Sequence, residues 1–168
     1  MKDYDKAGEL VAQIPLEDFK AMKDMRVLER QRKHKKIIEK YGDTDFSAFR
    51  AIVRGKCYRY RGEAYYAENM YKEAKPDILK ALEYVRNNNA AAVLRNRLAT
   101  IHLKHDKNPE KAIQTFRSVY EKSDFKGAFA AMSVADILAD RGDYDKALAE
   151  LKNIADRVYK KAHYANRI

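Results

Sequence analysis

The chain has 168 residues and a formal net charge of +10, with 46% apolar and 36% charged residues. This length suffices for one domain with a shared core, and the composition excludes both a disordered chain and a membrane-embedded one. Only 6 glycines and 3 prolines occur, so the sequence favours long helices over a turn-rich β fold.

The sequence also bears on the compartment. Its first residues do not form the apolar core of a signal peptide, and no apolar run approaches the length of a membrane span. The one cysteine, Cys57, cannot form an internal disulfide. We therefore expect a cytoplasmic protein.

Two helices are predicted in the N-terminal part. Residues 1–15 have the pattern of a half-repeat helix, the second helix of a hairpin whose first helix is absent, and Pro15 ends it. Residues 16–43 are predicted to form one long basic helix. Between Lys20 and Arg61 there are 14 Lys or Arg against 5 Asp or Glu, so most of the excess positive charge lies there.

Residues 44–168 are predicted to form three helical hairpins with a C-terminal helix extension. Apolar residues recur at helical spacing over about 44–68, 71–86, 90–105 and 125–140. Asn108 is expected to cap a further helix that begins with Pro109, and Asp143 to cap one that extends to about residue 161. Pro76 lies inside the second helix of the first hairpin, where we expect a kink or a restart.

The sequence contains internal repeats. The residues Asp143–Ala147 are identical to Asp3–Ala7. Alanines also follow turn signals at a regular distance: 38 residues separate Ala74 from Ala112, and 35 separate Ala112 from Ala147. The 67 residues between Ala7 and Ala74 are close to two such periods. Periods of this size are typical of helical repeat arrays.

The segment from Tyr58 to Leu82 resembles a tetratricopeptide repeat (TPR). The resemblance is carried by Tyr58, Gly62 and Tyr65 on the first helix and by Tyr71, Ala74, Ile78 and Ala81 on the second. Arg61 replaces the family's leucine, and the family's closing proline is missing. The resemblance implies an all-α fold, a right-handed α-solenoid of antiparallel helix pairs. A generic helical bundle with the same periodicity is the alternative.

Arrays of this family present the first helix of each pair along a concave groove, and the resemblance implies groove positions here. They are Lys56, Arg59, Glu63 and Tyr66 on the first repeat, Leu94, Arg97, Ile101 and Lys104 on the second, and Phe129, Met132, Asp136 and Ala139 on the third. We expect the partner to contact Lys56, Arg59, Tyr66, Arg97, Lys104, Phe129 and Met132. Such a groove, basic at one end and apolar at the other, suits an acidic peptide or helix with an apolar anchor. For the basic side chains, a solvated face is the alternative.

One family specialisation does not fit. TPR domains that bind chaperone tails hold the C-terminal carboxylate with Lys, Asn and Arg side chains. At the matching positions this sequence has Glu63, Leu98, Phe129 and Ser133. The sequence therefore argues against the tails of Hsp70 or Hsp90 as ligands.

A basic run offers a second candidate surface. The stretch from Glu29 to Lys36 has no apolar residue and contains Arg30, Arg32, Lys33, Lys35 and Lys36. It can be a solvated helix face, a contact for an acidic protein or a phosphate-binding site. Nucleic-acid binding through residues 26–40 is thus an alternative function, and a structural segment of a larger repeat protein is another.

Signals of enzymatic function are weak. His102 and His105 share a helix face, but no neighbouring Cys or His completes a zinc site, so a surface pair is the better interpretation. Basic neighbours could activate Cys57, yet no histidine is placed to act as its base, which favours a packed or inert thiol. We expect a non-enzymatic adapter or scaffold with no catalytic residue, metal or cofactor.

Overall fold

The structure is a computed structural model that describes residues 17–120 and 124–165, with side chains for 17–119 and 127–156, and every regular element in those ranges is an α-helix. The helices are α1 (Glu17–Arg30), α2 (His34–Tyr41), α3 (Ala51–Ala67), α4 (Tyr71–Tyr84), α5 (Asn88–Lys104), α6 (Pro109–Tyr120), α7 (Asp124–Ala139) and α8 (Tyr144–Ala165). The all-α prediction is confirmed for these residues, whereas the predicted half-repeat at 1–15 lies outside them. No helix described is both long and apolar enough to cross a membrane.

The prediction of one long basic helix over residues 16–43 is wrong. Arg32 takes the left-handed conformation, with φ 55°, and the chain turns between α1 and α2. The Arg32 N–H donates to the Glu29 carbonyl and the Lys33 N–H to the Leu28 carbonyl, both at 2.9 Å. These two bonds form a Schellman closure, which satisfies carbonyls that the end of a helix leaves free. The first pair of helices is therefore α1–α2.

Left-handed residues recur at the turns along the chain, and the two bonds of the Schellman closure recur at Asn69 and Gly142. Asn69 between α3 and α4, Lys107 between α5 and α6, and Gly142 between α7 and α8 also have positive φ. The four left-handed residues are separated by 37, 38 and 35 residues. Each turn joins two helices that pack against each other. The described residues thus contain four helix pairs that recur with a common period, whereas the sequence predicted three.

Buried residues follow the same period. Ile37, Ala74, Ala112 and Ala147 are all buried, and the N–H of each donates to the carbonyl of the residue just before its helix. In the sequence, Ile37 lies 30 residues after Ala7 and 37 residues before Ala74, so it supplies the intermediate position of the two periods between them. Pro76 does not restart α4, which runs unbroken from Tyr71 to Tyr84.

The core has two parts that share one helix. The first cluster draws on α1 to α4 together with Leu94, Leu98 and Ile101 of α5. The second draws on α6 to α8 together with Ala92 and Ala99 from the other side of α5. Because α5 is the common wall, its position fixes how the two parts meet.

A buried arginine joins α2, α3 and α4. The Arg61 guanidinium makes two hydrogen bonds to Asp77, at 2.6 and 2.9 Å, and both side chains are almost fully buried. Its Nη1 donates to the carbonyls of Tyr41, Gly42 and Thr44 at 2.7–3.0 Å. The guanidinium also lies 4.4 Å from the centre of the Phe46 ring. These donors satisfy the carbonyls that the end of α2 leaves without helical partners.

A second ion pair holds α1 to the start of α3. The Asp18 carboxylate accepts hydrogen bonds from Arg50 Nε at 2.9 Å and Nη2 at 2.6 Å. These bonds lower the pKa of Asp18 to about 2, although its burial opposes the shift. The unfolded chain therefore takes up this proton first, and the pair's stabilisation is lost as the pH falls from about 4 to about 2. Since Arg50 is partly exposed, we place that stabilisation at about 1–2 kcal/mol.

Two glycines set the distance between α3 and α4. A Cβ atom added to Gly55 would lie 2.3 Å from Tyr84 Cβ, which is far inside van der Waals contact. A Cβ atom added to Gly62 would lie 3.1 Å from Asp77 Cβ and 3.2 Å from Ile78 Cγ1. The resemblance to a TPR drew attention to Gly62 and not to Gly55, where the two helices are closer.

We predict that Gly55→Ala destabilises the protein by about 1–3 kcal/mol, because the new methyl group forces α3 and α4 apart. At a helical site with free space, Gly→Ala would instead stabilise the protein by about 1 kcal/mol. The sign of the stability change therefore distinguishes close packing at Gly55 from an open site. Gly62→Ala is the matched control and should cost less, because its contacts are less severe. Urea unfolding of both variants measures the difference, and equal effects would contradict the Gly55–Tyr84 contact.

We further predict that Asp77→Ala costs about 3–5 kcal/mol of stability, because it leaves the Arg61 charge buried without its partner. The double variant Arg61→Leu/Asp77→Ala should cost less than the sum of the two single variants. The exposed pair Glu17–Lys20 is the control, since removing it should change stability by less than about 1 kcal/mol. Additive losses at Arg61 and Asp77 in urea unfolding would show that the pair is not coupled.

Candidate binding groove

One face of α3 carries all four predicted groove residues of the first repeat. Ile52, Lys56, Arg59, Glu63 and Tyr66 follow one another at intervals of three or four residues, so they form one row about 21 Å long. Lys56 is exposed, and Arg59 and Tyr66 are partly exposed. The row begins with an apolar side chain, since Ile52 is 70% exposed.

The N-terminal part of this row lines a cleft of about 570 Å³. Its opposite wall is the chain from the end of α4 to the start of α5. The cleft places Lys56, Arg59 and Arg86 together with one acidic side chain, Glu83. Ile52 and Val85 add apolar surface. The cleft therefore offers positive charge beside an apolar patch.

The C-terminal part of the row lines a second cleft, of about 590 Å³. Here Tyr66 and Arg97, which were predicted to line the groove, meet Arg30 and Arg32 of the basic run. Glu29, His34, Glu63 and Ala67 complete the lining. The α1–α2 turn makes this arrangement possible, because one continuous helix could not present Arg32 beside Tyr66 in the same way. Two residue sets that the sequence treated separately thus line one cleft.

Internal contacts hold Arg97 in place. Its Nε lies 3.2 Å from Glu63 Oε2, and its guanidinium lies 4.5 Å from the centre of the Tyr66 ring. The Tyr66 ring in turn packs 5.6 Å from the Tyr71 ring, centre to centre. Burial acts to lower the pKa of Arg97, but Glu63 and Tyr66 outweigh burial and raise it. Arg97 is therefore part of the wall of the groove as well as a charge in it.

Several predicted groove residues lie elsewhere. Leu94 and Ile101 are fully buried in the first core cluster, so their placement in the groove is wrong: α5 turns these apolar side chains towards α3 and α4. Lys104 is exposed at the end of α5 and lines neither cleft. Phe129 and Met132 of α7 are 59% and 57% exposed and also lie outside both clefts.

The basic side chains of the run from Glu29 to Lys36 all face solvent. Arg30, Arg32, Lys33, Lys35 and Lys36 are all exposed. Within the described part of the chain, none of the five side chains takes part in an ion pair. Only Arg30 and Arg32 line a cleft, while the three lysines surround the start of α2.

The residues considered for chemistry are mostly buried. Cys57 is fully buried, and burial raises the pKa of its thiol to about 12, as an inert thiol requires. The prediction that His102 and His105 form a surface pair is wrong, because His102 is buried and its Nδ1 lies 2.7 Å from Asp106 Oδ2. Within the described ranges, no cluster of three His, Cys, Asp or Glu side chains could hold a metal ion.

The sequence did not identify Ile52, Glu83, Val85 or Arg86 as groove residues. They join the first cleft because Gly55 brings Tyr84, and with it the end of α4, against α3. The glycine at position 55, inside a helical pattern, was the sequence signal that could have indicated a close helix partner and hence these residues.

No protein-family model and no curated protein matches the sequence.

We predict that Arg97→Glu lowers the stability by about 1–2 kcal/mol, because it removes the contact with Tyr66 and sets two carboxylates side by side. Arg59→Glu makes the same change of charge on the same groove. It should cost less, because Arg59 would lose only its contact with the Tyr60 ring, 4.8 Å away, and no described acidic side chain pairs with it. Thermal unfolding followed by circular dichroism compares them. Equal melting temperatures would show that Arg97 does not support the groove wall.

Proposed function

We propose that this protein is a non-enzymatic adapter or scaffold that binds another protein, built as a TPR-like right-handed α-solenoid of antiparallel helix pairs. The regular recurrence of four left-handed turns at 37, 38 and 35 residues supports the repeat assignment. The buried positions at Ile37, Ala74, Ala112 and Ala147 keep the same period. We further propose a cytoplasmic location.

The row of side chains along α3 carries the functional proposal. Its residues line two clefts, one at each part of the helix, and both clefts hold three arginine or lysine side chains against fewer acidic ones. An extended peptide or a short helix about 20 Å long would contact both clefts at once. The charge of the clefts favours acidic side chains in that partner.

The apolar part of the partner has two places to bind. Ile52 and Val85 offer apolar surface inside the first cleft. Phe129 and Met132 of α7 are large, apolar and more than half exposed, and large exposed side chains of this type are common anchors at protein interfaces. A partner with acidic residues and one apolar anchor meets both features.

A non-enzymatic role agrees with the chemistry of the described residues. The Cys57 thiol is buried and kept protonated, which removes its nucleophilic form. His102 is buried and bonded to Asp106, which also pairs with Lys75. The contacts of Lys75, His102 and Asp106 join α4 to the end of α5.

Binding of nucleic acid by the basic run is a second candidate function, which the exposure of all five side chains favours. If five cations contact duplex phosphates, the slope of log affinity against log salt should be about −4 to −5. Titration of labelled DNA at several salt concentrations, with Arg32, Lys33, Lys35 and Lys36 changed to Ala, measures it.

We predict that the double variant Lys56→Glu/Arg59→Glu weakens the binding of acidic peptides about tenfold or more. The probes are labelled peptides of equal length, which are acidic, neutral or basic and carry or lack a pair of leucines. Fluorescence anisotropy should show tightest binding for the acidic peptide with leucines.

The matched control is Lys72→Glu/Lys111→Glu, which makes the same change of net charge at exposed positions on α4 and α6. It should reduce affinity far less, because its sites lie outside both clefts. Equal losses in the two variants would show that net charge alone attracts the peptide. Absence of binding to every peptide would overturn the proposal.

A further inference from the structure

The second cleft differs from the first in the chemistry of its cations. Its three permanently charged basic side chains are all arginines, namely Arg30, Arg32 and Arg97, whereas the first cleft has two arginines and a lysine. A guanidinium carries five N–H donors in a planar fork, and this fork matches the oxygens of a phosphate group better than the compact charge of a lysine does. The second cleft is therefore suited to a phosphate group.

The three arginines reach the cleft from two separate parts of the fold. Arg30 and Arg32 lie at the α1–α2 turn, are exposed, and have no ion-pair partner among the described residues. Arg97 enters from α5, where Glu63 and the Tyr66 ring hold it in place while 40% of its side chain stays exposed. The cleft thus has one arginine in a fixed position and two that are available to a ligand.

Two carboxylates also line the second cleft and limit what can bind there. Glu63 is paired with Arg97, while Glu29 is partly buried in the lining. Three arginines against two glutamates leave a net charge of +1, and the exposed lysines around the start of α2 add to the positive potential nearby. A long polyanion would have to run past both carboxylates, whereas one compact dianion needs only the arginines.

We propose that the second cleft binds a phosphorylated serine or threonine of the partner peptide. This inference rests on the proposed function, because it places the phosphate in the same groove that holds the peptide. A phosphorylated side chain carries a charge of about −1.5 to −2 and three acceptor oxygens, so several guanidinium N–H groups can donate to it at once. An aspartate or glutamate has one charge and two oxygens, and would leave part of this donor set unused.

The two clefts set the spacing that the partner requires. Ile52 begins the row on α3 in the first cleft, and Tyr66 ends it in the second, about 21 Å away. An extended chain advances about 3.3 Å per residue, so roughly six residues separate an apolar side chain at Ile52 from a phosphate beside Tyr66. We therefore expect the phosphate to contribute most at this spacing.

Arg32 offers a substitution that removes a cation without weakening the fold. Its φ of 55° is a conformation that glycine adopts without strain, so Arg32→Gly should unfold at the same temperature as the unmodified protein or at a higher one. Lys107→Gly is the matched control, because Lys107 has a φ of 53°, is exposed, and lies outside both clefts. Each change removes one positive charge at a left-handed turn residue.

The probes are labelled acidic peptides with a pair of leucines and one variable residue, which is serine, phosphoserine or glutamate. This residue stands six positions before the leucines in one series and six positions after them in another. Fluorescence anisotropy should show that phosphoserine tightens binding about tenfold relative to serine in one of the two series, and more than glutamate does. Arg32→Gly should remove most of this gain and Lys107→Gly should keep it. Moving the phosphoserine to two positions from the leucines should also remove most of the gain.

The serine peptide separates this inference from the proposed function. Suppose that it binds, and that Lys56→Glu/Arg59→Glu weakens its binding, while phosphorylation adds nothing in either series. The adapter groove then stands and the phosphate site is overturned. Absence of binding to the serine, phosphoserine and glutamate peptides alike would overturn both.

Four further results would overturn the phosphate site. The first is a gain from glutamate as large as that from phosphoserine, which would assign the cleft to carboxylates. The second is an equal loss in Arg32→Gly and Lys107→Gly, which would show that net charge alone attracts the peptide. The third is a single-stranded RNA oligonucleotide that binds as tightly as the phosphopeptide and is equally sensitive to Arg32→Gly. The fourth is inorganic phosphate that displaces the phosphopeptide at a similar concentration, which would indicate a site for a free anion.

Discussion

The Arg61 guanidinium donates more of the hydrogen bonds that hold the fold together than any other side chain described. It neutralises Asp77 on α4 and donates to three carbonyls, that of the last residue of α2 and those of Gly42 and Thr44 after it. A leucine, the residue that the TPR pattern has here, could pack between the helices but could not bond to these carbonyls. The cost of burying two charges is offset only because nearly every donor of the guanidinium has an acceptor. The first two helix pairs therefore meet at one polar group.

This arrangement has consequences for the groove. Arg61 and Asp77 hold α3 against α4, and Gly55 allows the same two helices to touch at Tyr84, the last residue of α4. The row from Ile52 to Tyr66 lies on the same helix as Arg61. One wall of the first cleft is α3, and the other is the chain from the end of α4 to the start of α5. Any movement of α3 relative to α4 would therefore change the shape of this cleft. The rigidity of the buried contact thus sets the geometry at the surface.

Much of the fold could be predicted from the sequence. Helices α4 to α8 lie close to their predicted positions, whereas α3 begins at Ala51, seven residues after the predicted start at about 44. The cap at Asn108 is present, since its side chain accepts a hydrogen bond from the Lys111 N–H. The turn at Arg32 could not be predicted, because rules for helix ends look for glycine or asparagine in the left-handed conformation. Here Arg32, inside a run of good helix formers, adopts the left-handed conformation. The turn is favoured because it lets Ile37 and Tyr41 of α2 pack in the first core cluster.

The groove was predicted less completely, for a related reason. Repeat register gives the same angular position to Glu63 and Ile101, but a polar side chain stays at the surface while an apolar one turns into the core. The register therefore identified the row on α3 and failed for Leu94 and Ile101 on α5. Charges that are distant in sequence, such as Arg32 and Arg97, come together only through the α1–α2 turn. No pattern within a single helix contains that information.

The sharing of α5 between the two core clusters has a thermodynamic consequence. Among the described helices, α5 alone contributes to both clusters, with its larger residues on one side and alanines on the other. The residues before it and those after it thus form two cooperative units with a common boundary, and each can open while the other keeps its own buried surface. Amide hydrogens of α1 to α4 and those of α6 to α8 would then exchange with solvent at two different free energies. Those of α5 would follow the more stable unit, because its residues stay protected as long as either cluster is intact.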